Sequence, residues 1–244
     1  MPDLHTSDAP QQLEYKKQAA EHAVTLIESG MVVGLGTGST AIFATRHLAE
    51  LLRQGALCDI LGFATSRATW EEAQRLGIPL LAQEMPRAID LTIDGADEVD
   101  PQLNVIKGGG GALLREKIVA QASRRFVITV DESKLSPRLG THHPVPVEVL
   151  VFGWRSQARF LESLQAKIAV RKNPDGSQFV TDSRNMILDC DFGPIADLAS
   201  LGESLSRRAG IVEHGLFLEL VSDVVVAGPA GIEHHTRPRQ QPIS

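Results

Sequence analysis

The sequence contains only two cysteines, Cys58 and Cys190, far apart and with no CxxC pair. That excludes a disulfide-stapled scaffold and a cysteine-built zinc site, and the two read as buried reduced thiols rather than a bridge. No apolar run approaches the roughly 18 residues needed to span a bilayer; the longest uncharged stretches, such as Val224–Ile232, stop well short. Met1–Pro10 has no basic stretch followed by an apolar one, so it does not read as a signal peptide. No cluster of lysine and arginine interrupts a composition with a formal net charge of −6, which argues against non-specific nucleic-acid binding. None of the histidines, among them His22, His47 and the His142–His143 and His234–His235 pairs, has a ligand-spaced partner, so no metal is expected. A cytoplasmic protein with no membrane and no nucleic-acid partner is the default expectation.

What is present is the material of a full core. Hydrophobic residues make up 43% and charged residues 22% of 244 residues, enough for one large domain or one and a half. The first dozen residues and His235–Ser244 are polar and read as frayed. Between them, apolar patterning predicts a helix over Leu13–Ser29, a strand over Met31–Leu35, a helix over Thr40–Gln54, a strand over Asp59–Phe63 and a helix over Arg67–Leu76. A short strand at Leu80–Ala82, a strand at Ile89–Ile93, a helix at Leu113–Ala122 and a strand at Phe126–Val130 follow. Strands separated by helices at this spacing mean a parallel sheet with helices on both faces. From Pro144 the order becomes strand 145–151, helix 156–165, strand 167–171, strand 186–192, helix 194–207 and strand 211–218. That is the βαββαβ order of a ferredoxin-like unit. A last strand, Asp223–Ala227, rejoins the first sheet. The expected fold is therefore α/β: a doubly wound Rossmann-like parallel sheet (residues 1–143 and 219–244) with a smaller ferredoxin-like α+β domain (144–218) inserted near the C-terminal end.

Four unusual segments follow predicted strands or lead into the next helix, where ligands bind in a parallel sheet. In Gly34–Thr40, small residues at a helix N-terminus offer free N–H groups, with hydroxyls from Thr37, Ser39 and Thr40, an arrangement suited to a phosphate. The spacing is G-x-G-x-G without the dinucleotide fingerprint or a Walker lysine, and a tight turn that binds nothing is the competing reading. In Asp94-Gly95-Ala96-Asp97-Glu98, two carboxylates three residues apart could bind sugar hydroxyls, move protons or hold a metal lacking further ligands. A solvated acidic turn with a helix cap competes for Asp97 and Glu98. Lys107 precedes Gly108, Gly109, Gly110 and Gly111; four glycines are entropically costly to order, and close approach of backbone to ligand is their usual warrant. There, N–H groups and a cation could stabilise an oxyanion, against a flexible surface linker. Glu116, between Arg115 and Lys117 one turn into the next helix, has the ordinary reading of a surface residue. Lys134, in Asp131-Glu132-Ser133-Lys134, could bind phosphate or simply be exposed.

Together, Gly36-Thr37-Gly38-Ser39-Thr40, Asp94–Glu98, Lys107–Gly110, Arg115-Glu116-Lys117 and Asp131–Lys134 resemble the A-type ribose-5-phosphate isomerases in order and spacing. The similarity continues through Pro146–Val149, Asn185–Asp189 and Gly215–Phe217, and so covers essentially Leu13 to Pro229. Departures are a fourth glycine at Gly111, Glu132 where a smaller residue is common, and extra polar residues at both termini. The resemblance implies reversible conversion of ribose 5-phosphate to ribulose 5-phosphate, in the pentose phosphate pathway, through a cis-enediolate and without a cofactor. It assigns the base to Glu116 and sugar contacts to Asp94, Asp97 and Lys107. We infer that Asp94 helps ring opening while Lys107 and the N–H groups of Gly108–Gly110 hold the oxyanion. Thr37, Gly38, Ser39 and Thr40 would seat the phosphate, with Lys134 and Lys16 or Lys17 nearby, and Gly95 and Ala96 would line the sugar. The family also suggests a homodimer or homotetramer through the smaller domain. Two rivals remain open. A coenzyme A transferase would use its glutamate as a nucleophile, which the paired aspartates and Lys107 disfavour. A sugar-phosphate sensor would need a DNA-binding module, for which the roughly 30 residues before the first strand are too few.

Overall fold

The computed structural model describes residues 10–82 and 88–238. The chain runs α1 (Pro10–Val24), β1 (Val32–Leu35), α2 (Ala41–Gln54), β2 (Leu61–Ala64), α3 (Arg67–Arg75), β3 (Leu91–Asp94), β4 (Glu98–Val99), β5 (Val105–Ile106), α4 (Leu113–Ala122) and β6 (Phe126–Asp131). After a 3-10 turn at Glu132–Lys134 come β7 (Val145–Val149), α5 (Trp154–Ser163), β8 (Lys167–Val170), β9 (Met186–Asp191), α6 (Leu198–Ser206), β10 (Ile211–His214), β11 (Leu216–Phe217), β12 (Asp223–Gly228) and β13 (Gly231–Thr236).

Strands β1, β3 and β6 are buried at every position, as strands covered on both faces must be. They lie in a six-stranded sheet ordered β13-β12-β6-β3-β1-β2, parallel except for the antiparallel edge β13. Alternation along each strand sorts the side chains between two layers. Val33, Leu35, Leu91, Ile93, Val127 and Val225 pack under the alanine face of α1 (Ala19, Ala20, Ala23) and under Ala44 and Leu48 of α2. Val32, Phe63 and Ile89 meet Val119 of α4 on the opposite side. From β1 the chain moves outward to β2, then crosses back to β3 on the other flank. The order therefore reverses between β1 and β3, and the loops leaving their carboxyl ends face one crevice.

The four-stranded antiparallel sheet, β10-β7-β9-β8, has the 4-1-3-2 order of the ferredoxin-like unit. Its inner face (Val145, Val147, Leu188, Cys190) packs on Leu161 of α5 and Leu205 of α6. A small third sheet, β11-β5-β4, went unseen in the sequence because its strands have two residues each. It links the two larger ones. The predicted strand 211–218 breaks at Gly215, where a Cβ would collide with the Lys107 carbonyl, and the chain passes from β10 into β11.

Other boundaries moved for local reasons. Leu80 makes only an isolated bridge to Gly62. Helix α6 starts at Leu198 rather than Pro194 because the Asp197 side chain caps it, accepting from Ser200 N at 2.9 Å. Part of the tails expected to be frayed is regular structure: Pro10 already opens α1, and His235 is paired in β13 against Val224; residues 1–9 and 239–244 lie outside the described residues. Cys58 is exposed rather than buried, its N–H taken by the Ser29 hydroxyl in the turn before β2, and both cysteines are free thiols. No described helix is long and apolar enough to cross a membrane.

Candidate active site

The loops after β1, β3 and β5, together with α1, α4 and the turn after β6, enclose a cavity of about 270 Å³. Its wall holds Thr37, Gly38, Ser39, Thr40, Gly95, Ala96, Asp97, Lys107, Gly108, Gly109, Gly110, Glu116 and Lys134, all singled out in the sequence, and Lys16. Asp94 lies behind this wall. A larger cleft of about 700 Å³, lined by Arg67, Trp70, Arg115 and Asp182, is separate; its Arg67–Glu71 and Arg115–Asp182 pairs already satisfy one another.

At the helix end of the cavity, Gly36 is dictated by contact: a Cβ there would run into the Asp94 carboxylate. The chain then turns into α2, and Thr40 occupies the cap position without making a side-chain cap bond. The N–H groups of Gly38, Ser39 and Thr40 donate to no acceptor among the described residues, so an anion can take them. Lys16 and Lys17 are distinguished by helix phase. Lys16 shares the buried face with Ala19, Ala20 and Ala23 and donates to Ser39 Oγ at 3.2 Å; Lys17 is exposed and pairs with Glu21. The Thr37 hydroxyl is not free as expected, because it bonds Thr65 Oγ1 (2.7 Å) and Thr69 Oγ1 (3.1 Å) at the start of α3.

The other end is a buried charge cluster. Lys107 follows β5 directly, so the small third sheet fixes its backbone, with its N–H on Gly215 O at 2.9 Å. Its Nζ lies 3.1 Å from Asp94 Oδ2, 3.4 Å from Glu116 Oε1 and 2.5 Å from Gly95 O. Asp94 accepts from Thr37 N and Gly95 N with Oδ1 and is fully buried, so it orients Lys107 and the β1 loop from beneath. Burial disfavours the Lys107 ammonium, yet the charges of Asp94, Glu116 and Asp97 outweigh it, and the lysine titrates above its ordinary range. Glu116, with the surface reading in sequence, is only 3% exposed. Burial, reinforced by the Asp94 and Asp97 charges and opposed by Lys107, drives its carboxyl up to about 8. Its Oε2 is buried and accepts nothing. Asp97, half-buried on the cavity wall, accepts Gly109 N at 2.7 Å.

Glu98 is the clearest departure from the solvated-turn reading. It is fully buried, and its carboxylate accepts the N–H groups of Gly140, Thr141, His142 and His143 at 3.0–3.2 Å. Among the described residues no group of three or more His, Cys, Asp or Glu side chains is placed to hold a metal ion.

The family model described as ribose 5-phosphate isomerase A (phosphoriboisomerase A) matches residues 61–231. The chain belongs to the ribose-5-phosphate isomerase A family. A ribose-5-phosphate isomerase A of Desulfatibacillum aliphaticivorans is 59% identical over 217 residues, 89% of this chain and 94% of that one. Two solved structures share 38% identity over 92% of this chain and 98% of theirs. One is a D-ribose-5-phosphate isomerase in complex with phospho-erythronic acid (TM-score 0.89), the other the ribose 5-phosphate isomerase from Plasmodium falciparum (TM-score 0.88). As a member of this family the chain is an isomerase. Thr65, Thr69 and Arg171 carry no signal in the sequence motifs, yet the two threonines bond the Thr37 hydroxyl and Arg171 donates to Gly108 O and Gly109 O of the cavity wall. Only spatial contact reveals them, because they reach the site from other elements.

Proposed function

We propose that this chain interconverts ribose 5-phosphate and ribulose 5-phosphate through an enediolate, with Glu116 as the base. The observation that carries this reading is a buried carboxyl on the cavity wall, one oxygen beside an ammonium and the other unpartnered. In this reading the phosphate sits against Lys16, Ser39, Thr40 and Lys134 and the free N–H groups of the β1 loop. Asp97 assists ring opening in place of Asp94, since its carboxylate lines the cavity and that of Asp94 does not. The ionised Glu116 takes the C2 proton of the open aldose; the electron pair forms the C1–C2 double bond and charge moves to O1. Lys107 and the glycine N–H groups hold that charge. The O2 hydroxyl proton passes to O1 as Glu116 returns its proton to C1, leaving the C2 carbonyl. Such a site accommodates a carboxylate analogue of the enediolate, the class to which phospho-erythronic acid belongs.

Steady-state assay with ribose 5-phosphate tests the reading. Glu116→Gln is isosteric but cannot take a proton, so kcat should fall by ~10²–10⁴-fold or more with KM little changed. A variant keeping a tenth of wild-type turnover sinks it. The reading further takes residues 144–218 as a separate domain through which a homodimer or homotetramer forms, supported by Phe152, 92% exposed beside the exposed Leu150 and Val151. Sedimentation of Phe152→Asp tests that part: a fall in assembly size supports it, an unchanged mass removes it.

A further inference from the structure

We propose that Arg171, contributed by the smaller sheet, is a positioning residue that aims the Gly110 N–H into the cavity. Arg171 follows β8, and its guanidinium forks onto Asp189 of β9, through Nε at 2.9 Å and through Nη2. Its remaining nitrogen, Nη1, donates to Gly108 O at 2.6 Å and Gly109 O at 3.0 Å. The Phe179 ring packs 5.8 Å from the guanidinium and fills the space a Cβ on Gly111 would need.

The consequence follows from peptide geometry. In a trans peptide the C=O and N–H point in opposite directions. Holding Gly108 O therefore directs the Gly109 N–H away from Arg171, and it meets Asp97 Oδ2 at 2.7 Å. Holding Gly109 O directs the Gly110 N–H the same way. That N–H has no acceptor among the described residues, and Gly110 lines the cavity. A run of glycines has no side chains to fix its peptide planes. The first plane is held from both sides, by the guanidinium and the Gly111 N–H (2.9 Å) on Gly108 O and by Asp97 on the Gly109 N–H, whereas the Gly109–Gly110 plane is held by the guanidinium, itself fixed by the Asp189 fork. Donors aimed beforehand at a developing oxyanion need no reorganisation during the reaction, which makes their orientation count in the transition state more than in the ground state.

The proposal rests on the enediolate reading of this cavity. Its test uses the full-length protein with Arg171→Lys, whose single ammonium cannot hold both carbonyls and the carboxylate fork. Asp189→Asn keeps the arginine but loosens it, and carries the test should the lysine variant not fold. The expected result is kcat down by up to ~10²–10³-fold, the range for loss of one oxyanion donor, with KM for ribose 5-phosphate within about threefold, because the phosphate contacts are untouched. Affinity for a carboxylate analogue of the enediolate should fall in parallel with kcat, and the Gly110 amide resonance should lose its shift on analogue binding. Added guanidinium ion should restore part of the activity of Arg171→Gly. Wild-type kcat in both variants, or substrate and analogue affinities falling by equal factors, overturns it. Failure of the enediolate reading itself has a different signature: Glu116→Gln would remain active whatever Arg171 does.

Discussion

Lys107 Nζ lies 3.4 Å from Glu116 Oε1, and both side chains are almost completely buried. The ammonium does not cancel the desolvation of the carboxyl, whose pKa stands at about 8. Since the base must be ionised to act, kcat/KM should rise with pH through an apparent pKa near 8 and level above it. A pH profile of kcat/KM measures this, and a flat profile between about pH 6 and 9 contradicts it.

The same shift has a stability consequence of fixed sign. The folded protein holds a proton on Glu116 that the unfolded chain releases above its ordinary carboxyl pKa, so the contribution is complete below that value. It is lost as pH rises toward about 8. Glu116→Gln, which stays neutral throughout, should gain stability relative to wild type across that window, by up to roughly 1.4 kcal/mol per pH unit. Denaturation of both proteins at pH 4 and pH 8.5 gives the comparison; a stability difference that does not change with pH removes the shift.

In the proposed reaction Lys107 supplies positive charge where the enediolate develops negative charge, so the charge requirement is met by the chain itself. Exhaustive EDTA treatment should leave turnover intact, and Lys107→Ala should lose kcat strongly. Lys107→Arg should recover little, since a guanidinium is larger and presents its donors differently within a site only 3% exposed at this side chain. Activity lost to EDTA and restored by a divalent ion would overturn this assignment.

The large sheet was legible in sequence because buried parallel strands are nearly continuous apolar runs, such as Val32–Leu35 and the Phe-Val-Ile that opens β6, set between helices with clear ends. The site's loops were legible because glycines and charges gather at strand ends, outside the apolar pattern of the core. What sequence could not give is held by contacts between distant segments. Glu98 looks like a solvated acid until four backbone N–H groups from residues 140–143 close around it. The hydroxyl of Thr37 points at α3 and not at the cavity, a choice set by Thr65 and Thr69 some thirty residues on. Burial of Glu116 and Lys117 was invisible in a helix with charges on successive positions; Lys117 Nζ is taken by Glu213 and His214 O, both at 2.6 Å, under β10.

The two ends of the β1 loop should respond differently to truncation. Thr40→Ala and Lys16→Ala should raise KM more than they lower kcat, unless phosphate binding is used to align the sugar. Thr37→Ser keeps the hydroxyl network and should be nearly silent in both constants. Ribose without its phosphate should be a very poor substrate. Equal kcat/KM for ribose and ribose 5-phosphate would give this loop another purpose.

Glu98→Gln should destabilise the fold by about 1–3 kcal/mol, because an amide places an N–H donor against backbone N–H groups that have no other acceptor. Its effect on KM should be small. Urea denaturation measures the first and steady-state assay the second, and an unchanged midpoint would mean the 140–143 turn is held by other contacts.

If Glu116 carries the proton between C2 and C1, the reacting carbon must pick up hydrogen from solvent by way of that carboxyl. Ribose 5-phosphate incubated with the protein in deuterium oxide should acquire solvent deuterium at C1 of the ribulose 5-phosphate formed, as followed by NMR. With Glu116→Gln that incorporation should fall by ~10²-fold or more while substrate still binds. Incorporation by the Glu116→Gln protein within tenfold of the wild-type rate would remove Glu116 as the base, which would then have to be sought elsewhere in the cavity.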